Sequence, residues 1–191
     1  MTVFNKVIFL VGMMGSGKSS VGRILSQRWG FPFVDLDQRL EMIYGRSIRE
    51  LFDAGEESFR ERESSALRSL VDEPGFERGP LVVATGGGVI VNSENRALME
   101  KSGLSIYLRV SLKELKRRLH HKKQRDIRPL LASEEDEPSD APWEESLAAL
   151  FAERQALYES STFAVDAEGK LETVADRIEK ELRMIQSQRN Q

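Results

Sequence analysis

The chain of 191 residues contains no cysteine, which excludes disulfides, thiolate metal sites and cysteine nucleophiles. Its formal net charge of −3 is nearly balanced, so no overall field recruits nucleic acid or an anionic membrane surface. It lacks an apolar run of transmembrane length, and its first apolar run begins too near the N-terminus to leave space for a signal peptide. We therefore expect a cytoplasmic monomer whose partners are small molecules rather than nucleic acids or membranes.

The residues that are present are typical of a folded globular domain. Hydrophobic residues make up 40% of the chain and charged residues 31%, values that argue against a disordered protein. Short apolar runs alternate with helical patterns, which predicts an α/β fold with a parallel sheet in one domain over residues 1–191. The predicted strands are 7–11, 33–35, 81–84, 104–109 and 163–166. The predicted helices are 18–28, 38–44, 47–54, 56–71, 93–101, 111–119, 144–159 and 171–186, with capping boxes beginning at Ser47 and Ser111.

A complete phosphate-loop motif, G-x-x-x-x-G-K-S, spans residues 12–19 between the first apolar run and a helical pattern. In such a loop, successive backbone N–H groups cradle phosphate oxygens, the lysine (Lys18) reaches the β- and γ-phosphates, and the serine hydroxyl (Ser19) binds Mg²⁺. The strand–loop–helix setting favours this interpretation over a glycine-rich turn without a ligand. We predict that a nucleoside triphosphate contacts Gly15, Ser16, Gly17, Lys18, Ser19 and Ser20.

Two carboxylates, Asp35 and Asp37, follow the second predicted strand. The carboxyl ends of parallel strands face the ligand crevice, and positions i and i+2 of a strand share one face. We predict that Asp35 assists Ser19 in holding Mg²⁺ and its waters, and that Asp37 hydrogen-bonds an acceptor hydroxyl. The alternative is that one of the two acids caps the next helix.

Three consecutive glycines, Gly86, Gly87 and Gly88, follow the third predicted strand. That strand ends without the aspartate that many phosphate-loop proteins place there for Mg²⁺, so the metal depends more on Ser19 and Asp35. Backbone without side chains lets a ligand approach closely, and we favour a binding role for these glycines over a simple turn.

The segment 120–143 interrupts the strand–helix alternation and runs from basic to acidic. A stretch of this length in a compact domain is either a functional lid or disordered, and the apolar residues 129–131 favour a lid. His120 and His121 are adjacent and lack metal-site spacing, so we predict that they are exposed lid residues.

Six segments, in order along most of the chain, resemble the motif series of shikimate kinase. They are residues 12–19, 35–37, 55–63, 86–88, 128–131 and 154–158. The patterns Gly-Glu-x-x-Phe-Arg-x-x-Glu and Arg-Pro-Leu-Leu are not shared by phosphate-loop kinases in general. The resemblance implies a three-layer phosphate-loop kinase fold with a five-stranded parallel sheet of order 2-3-1-4-5, flanking helices and a mobile lid. It also implies Mg²⁺-assisted transfer of phosphate from ATP to the 3-hydroxyl of shikimate, on the route to chorismate and the aromatic amino acids.

The resemblance further implies roles for individual residues. The substrate would be held by Asp37, Arg60, Gly86, Gly87, Gly88 and Arg154, and catalysis would depend on Lys18, Asp37 and the lid residue Arg128, which reaches the nucleotide phosphates. Without the resemblance, Arg60 and Arg154 would be interpreted as solvated helix arginines. Glu63 lies three residues after Arg60, at a helical spacing that allows it to hold the guanidinium in place.

Some features depart from the resemblance or leave alternatives. Residues 133–143 form an acidic insertion, and no residue is assigned to the adenine ring. Another small-molecule kinase, such as a gluconate kinase or a nucleoside monophosphate kinase, would share the phosphate loop and lid. It would not need the Phe59-Arg60 pair together with the three glycines. A non-catalytic ATP-binding module would bind ATP without turnover of any sugar-like acid.

Overall fold

The computed structural model describes residues 7–73, 80–121, 129–131 and 141–189. The predicted lid arginine, Arg128, and most of the acidic insertion lie outside these ranges. Their roles therefore stay predictions. Within the described ranges, no helix is long and apolar enough to cross a bilayer.

Five parallel strands form one sheet of order β2-β3-β1-β4-β5, as the family resemblance implied. The strands are β1 Val7–Val11, β2 Phe33–Asp35, β3 Val82–Ala84, β4 Gly103–Arg109 and β5 Phe163–Asp166. Every residue of β1 is buried, because β1 lies between β3 and β4 and helices cover both faces of a parallel sheet. The loop that follows β1 is therefore held at the centre of the carboxyl edge.

Helices connect the strands and lie close to their predicted positions. They are α1 Lys18–Trp29, α2 Leu36–Tyr44, α3 Ile48–Phe52, α4 Glu56–Val71, α5 Ser93–Ser102, α6 Leu112–Leu119, α7 Ala141–Glu159 and α8 Leu171–Arg189, with 3-10 turns at Val89–Val91 and Pro129–Leu131. The C-terminal helix α8 buries Val174, Ala175, Ile178 and Leu182, which recur at helical spacing. This apolar stripe attaches the last helix to the core.

The two predicted capping boxes have different outcomes. At α3 the Ser47 side chain accepts from the Glu50 backbone, and the Glu50 carboxylate accepts from the Ser47 N–H at 2.7 Å. At α6 only half of the box forms, because the Ser111 N–H donates to Glu168 at 2.9 Å. The Glu114 carboxylate instead pairs with two arginines of its own helix, Arg117 and Arg118. The full box predicted at Ser111 was therefore wrong.

Replacing Gly103 by alanine should lower the free energy of unfolding by about 2 kcal/mol, within the usual range for overpacking. An added Cβ would overlap the Val7 carbonyl oxygen and lie 2.9 Å from the carbonyl carbon, and backbone atoms of a paired strand cannot rotate away. Gly45→Ala is the control, because no atom lies within 4 Å of the new Cβ. Its φ of +63° is unfavourable for alanine, so we expect this variant to lose about 1 kcal/mol of unfolding free energy. Urea unfolding of both variants measures the difference; an equal or smaller loss for Gly103→Ala would contradict it.

Candidate active site

The phosphate loop leaves β1 and ends in the first turn of α1. Gly15 and Gly17 have φ values of +79° and +95°, a region that side chains rarely adopt, which explains why glycine stands at both positions. The Lys18 ammonium donates to the carbonyl oxygens of Gly12 at 2.8 Å and Met13 at 3.0 Å, so it lies over the loop. Ser19 and Ser20 are exposed at the start of α1, whose positive end faces the same space. The loop is thus arranged for phosphate groups.

A cavity of about 420 Å³ lies beside this loop at the carboxyl edge of the sheet. Most of the predicted site residues line it: Gly15, Gly17, Lys18, Ser19, Ser20, Asp37, Arg60, Gly86, Gly87, Gly88 and Arg154. Ser16, in the middle of the loop, is buried, and its hydroxyl has no hydrogen-bond partner among the described residues. The structure therefore brings the predicted nucleotide and substrate residues together in one cavity.

The two acids after β2 occupy different environments. The strand ends at Asp35, whose carboxylate accepts from the N–H groups of Asp37 at 3.1 Å and Gln38 at 3.4 Å and so caps α2. Asp37 belongs to the first turn of α2 and lines the cavity. The expectation that both acids share a face of the strand was wrong, because α2 begins two residues earlier than predicted. The capping alternative is realised by Asp35.

Asp37 and Glu63 are carboxylates in a desolvated and charged environment. Burial, assisted by the nearby Asp35, raises the pKa of Asp37 to about 6, while Lys18 and Arg60 act in the opposite direction. Burial also raises the pKa of Glu63 to about 7, against the opposing effect of Arg60. A carboxylate with a pKa near neutrality can exchange a proton at physiological pH.

The guanidinium of Arg60 is fixed by two acids of its own helix, α4. Its Nη1 donates to Glu63 at 2.9 Å, which confirms the predicted pair. Its Nε and Nη2 donate to one oxygen of Glu56 at 3.3 Å and 3.0 Å. Glu63 is only 2% exposed, so the pair is largely removed from water. Arg60 is therefore a held cation at the cavity wall and not the solvated residue that its helix position alone suggests.

The glycines after β3 leave space for these charged side chains. A Cβ at Gly88 would overlap the Arg60 guanidinium. A Cβ at Gly86 would overlap the Glu63 carboxylate and lie 2.9 Å from an Asp37 oxygen. A side chain at either position would therefore force the Arg60–Glu63 ion pair to shift.

Arg154 enters the cavity from α7 and is only 3% exposed. Its Nε lies 3.9 Å from the Glu153 carboxylate and has no hydrogen-bond partner among the described residues. A buried guanidinium with an unsatisfied donor carries a desolvation cost that an anionic ligand can offset. Arg154 is thus a candidate anion-binding group.

Two further residues support the site, and sequence reasoning assigned them no role. Tyr158, one turn after Arg154, donates to the Gly87 carbonyl at 2.5 Å and stacks on Tyr107. Arg118 lines the cavity and donates to the carbonyls of Gly15 and Ser16 in the phosphate loop at 3.2 Å and 3.3 Å. Tyr158 belongs to a segment that carried the resemblance, but Arg118 stands in a basic run that offers no signal to single it out.

The donor set beside the loop suits a hard divalent cation. Ser19 and Asp37 line the cavity, and Asp35 lies close enough to Asp37 to raise its pKa, so the oxygen chemistry fits Mg²⁺ bound together with nucleotide phosphates. The described residues contain no cluster of three or more His, Asp or Glu side chains that could hold a metal.

Comparison with known proteins agrees with this geometry. Residues 14–183 match the shikimate kinase family. A shikimate kinase of Ruegeria pomeroyi is 37% identical over 177 residues, covering 91% of this chain and 83% of that protein. A shikimate kinase of Geobacter metallireducens is 41% identical over 164 residues, covering 85% of this chain and 83% of that protein. The solved structure of an Acinetobacter baumannii shikimate kinase in complex with shikimate is 33% identical, with a TM-score of 0.79 and coverage of 96% of this chain and 94% of that one.

These matches favour the shikimate kinase interpretation over the gluconate-kinase-like and nucleoside monophosphate kinase alternatives. The family match spans most of the chain and includes all the segments that carried the resemblance except residues 12 and 13 of the first. The chain belongs to the shikimate kinase family.

Proposed function

We propose that this chain transfers the γ-phosphoryl group of ATP to the 3-hydroxyl of shikimate, giving shikimate 3-phosphate and ADP. The observation that carries the proposal is the convergence of Arg60, Arg154 and Asp37 in one cavity with the phosphate loop. Shikimate has one carboxylate and three hydroxyls, so its site needs a planar cationic fork and a hydroxyl acceptor. The two arginines and Asp37 supply these groups in the cavity that the phosphate loop also lines.

The two arginines would hold the substrate carboxylate. Arg154 contributes a buried guanidinium with an unsatisfied donor, and Arg60 contributes a guanidinium already oriented by Glu63. A planar fork can bind a carboxylate through two parallel N–H bonds, which fixes the ring and not only the charge. Gly86, Gly87 and Gly88 would let the ring lie against the backbone.

Phosphoryl transfer depends mainly on positioning and neutralisation of charge. Lys18 would exchange the carbonyls of Gly12 and Met13 for phosphate oxygens, and Ser19 and Asp35 would supply oxygens to Mg²⁺ and its waters. When bound, Mg²⁺ would neutralise the phosphate charge. Arg128, which lies outside the described residues, is proposed to reach the nucleotide phosphates from the lid, as the family resemblance implies.

Asp37 would orient the attacking hydroxyl and accept its proton late in the transfer. Its raised pKa makes it a better proton acceptor than an ordinary aspartate, while it remains mostly ionised above pH 6. The cytoplasmic location and the monomeric state expected from the sequence stay part of the proposal.

A coupled assay of ADP release tests the reaction directly. With shikimate, quinate, gluconate and nucleoside monophosphates compared in parallel, we expect efficient turnover with shikimate alone. The variant Lys18→Ala should lose about 10²-fold or more in kcat while remaining folded, because an ammonium that stabilises charge in a water-poor site is worth a few kcal/mol. Near-normal turnover by folded Lys18→Ala protein, or better turnover of gluconate than of shikimate, would overturn the proposal.

Lysine in place of either substrate arginine should raise the KM for shikimate much more than the KM for ATP, by roughly tenfold or more. Arg60→Lys and Arg154→Lys keep the charge but lose the fork. Arg62→Lys is the matched control, because Arg62 lies on the same helix as Arg60 but contacts the Leu51 carbonyl and the Tyr44 ring. Steady-state kinetics with each substrate varied separately measures the effect. Equal changes in both KM values would make the arginine structural.

Activity should decline at acidic pH through the protonation of Asp37. A protonated carboxyl cannot accept the hydroxyl proton, so kcat/KM for shikimate should fall as the pH drops below about 6. Asp37→Asn should lower kcat by roughly 10²-fold or more and remove this acid limb, with ATP binding retained. Rate profiles from pH 5 to 9, with nucleotide affinity measured by calorimetry, provide the check. A variant that kept the wild-type kcat would show that Asp37 is not the acceptor.

A further inference from the structure

The turn that follows β3, residues 86–91, has its carbonyl oxygens paired with donors that do not line the cavity. The carbonyls of Gly86 and Gly88 accept from backbone N–H groups of the turn itself, at 3.3 Å and 3.0 Å. Side chains of two neighbouring helices hold the other carbonyls: Tyr158 donates to Gly87, Asn95 to Val89, and Arg96 to Ile90 and Val91. The acceptors of the turn are thus already paired within the protein.

The N–H groups of the three glycines in this turn have the opposite status. Gly86, Gly87 and Gly88 line the cavity, and within the described ranges none of their N–H groups donates to another group of the protein. Successive backbone N–H groups without partners form a concave donor site for the oxygens of a ligand. A ligand in the cavity therefore meets the donors of the turn and not its acceptors.

Tyr158 fixes the orientation of the peptide between Gly87 and Gly88. Its hydroxyl donates to the Gly87 carbonyl at 2.5 Å, and its side chain is buried and stacked on Tyr107. No cis peptide bond occurs among the described residues, and in a trans peptide the C=O and N–H groups point in opposite directions. The bond to Tyr158 thus directs the Gly88 N–H away from Tyr158, which does not line the cavity.

The covalent chain does not fix this orientation by itself, because the peptide joins two glycines. Turning the peptide over would move φ of Gly88 from −96° into the positive region, which glycine adopts readily. The carbonyl oxygen of Gly87 would then replace the Gly88 N–H on the cavity side. A donor would be exchanged for a partial negative charge beside the substrate.

We propose that the Tyr158 hydroxyl is a positioning group for the substrate: by holding the Gly87 carbonyl outside the cavity, it keeps the Gly88 N–H directed at bound shikimate. The inference rests on the proposed binding of shikimate against the three glycines. Tyr158 acts through the backbone in this role and does not touch the substrate. Burial raises the pKa of Tyr158, against the opposing effect of the nearby Arg154, so the hydroxyl keeps its proton and stays a donor at neutral pH.

Steady-state kinetics of Tyr158→Phe tests the proposal, since phenylalanine keeps the stacked ring and removes only the hydroxyl. We expect the KM for shikimate to rise about three- to tenfold, the effect of losing roughly one hydrogen bond, and the KM for ATP to change less than about twofold. Tyr107→Phe is the matched control, because it removes the hydroxyl of the other ring in the same stack, outside the cavity lining. It should leave both KM values within about twofold of wild type. Urea unfolding verifies that both variants are folded.

Two results would locate the effect of the hydroxyl elsewhere and overturn the proposal. The hydroxyl also lies 3.6 Å from the Met13 sulfur, so a change in the KM for ATP as large as that for shikimate would indicate an action on the phosphate loop. Arg154 stands one turn before Tyr158, so the second check uses the Arg154→Lys background. An action through the glycine turn persists there with a similar factor, whereas an action through Arg154 disappears.

The same measurements separate this inference from the function on which it rests. Absence of shikimate turnover by the wild-type chain would refute the proposed function. Wild-type turnover together with an unchanged KM for shikimate in folded Tyr158→Phe protein would refute the positioning role alone.

Discussion

The ion pair between Arg60 and Glu63 is the constraint on which the rest of the site depends. Because Glu63 is 2% exposed, loss of its partner would leave a buried charge without compensation, a situation that typically costs about 3–5 kcal/mol. The pair lies against Gly86 and Gly88, where an added Cβ would force it to shift. It also acts on Asp37, whose pKa Arg60 lowers against the larger effect of burial. Arg60, Glu63 and Asp37 thus form one electrostatically coupled set.

Parallel topology explains how distant segments reach this set. The loop after β1, the first turn of α2, the helix α4, the loop after β3 and the helix α7 each contribute a lining residue at the carboxyl edge of the sheet. In a parallel sheet every strand ends at the same edge, so connections from separate crossovers meet there. The order β2-β3-β1-β4-β5 places the loops after β1 and β3 side by side, which brings the phosphate loop next to the three glycines.

Hydrogen bonds to backbone carbonyls link the nucleotide side to the substrate side. Tyr158 donates to Gly87 and lies on the same helix as Arg154, one turn away. Gly87 also lies close to the phosphate loop, since a Cβ added at this glycine would be 3.4 Å from the Met14 nitrogen. Arg118 holds the other side of the loop through Gly15 and Ser16. The phosphate loop thus lies between Arg118 of α6 on one side and the glycine segment on the other.

The sequence by itself determined the features that depend on local chemistry. Lys18 and Ser19 belong to a contiguous motif whose geometry is set by its own glycines, and the strands follow from apolar runs that only a sheet covered on both faces buries. The family resemblance added the prediction that Arg60 and Arg154 hold the substrate, and it also implied the order of the strands. Tertiary structure decided the properties that arise between segments far apart in the chain. Whether Asp35 caps a helix or faces the cavity depends on where β2 ends, and the displaced half of the Ser111 box depends on Glu168. Three further properties arise only when separate helices and loops meet: the burial of Arg154, the hydrogen bonds of Arg118 to the phosphate loop, and the ion pairs that hold the Arg60 guanidinium. The solvation and charge around a residue are set by its neighbours in space and not in sequence.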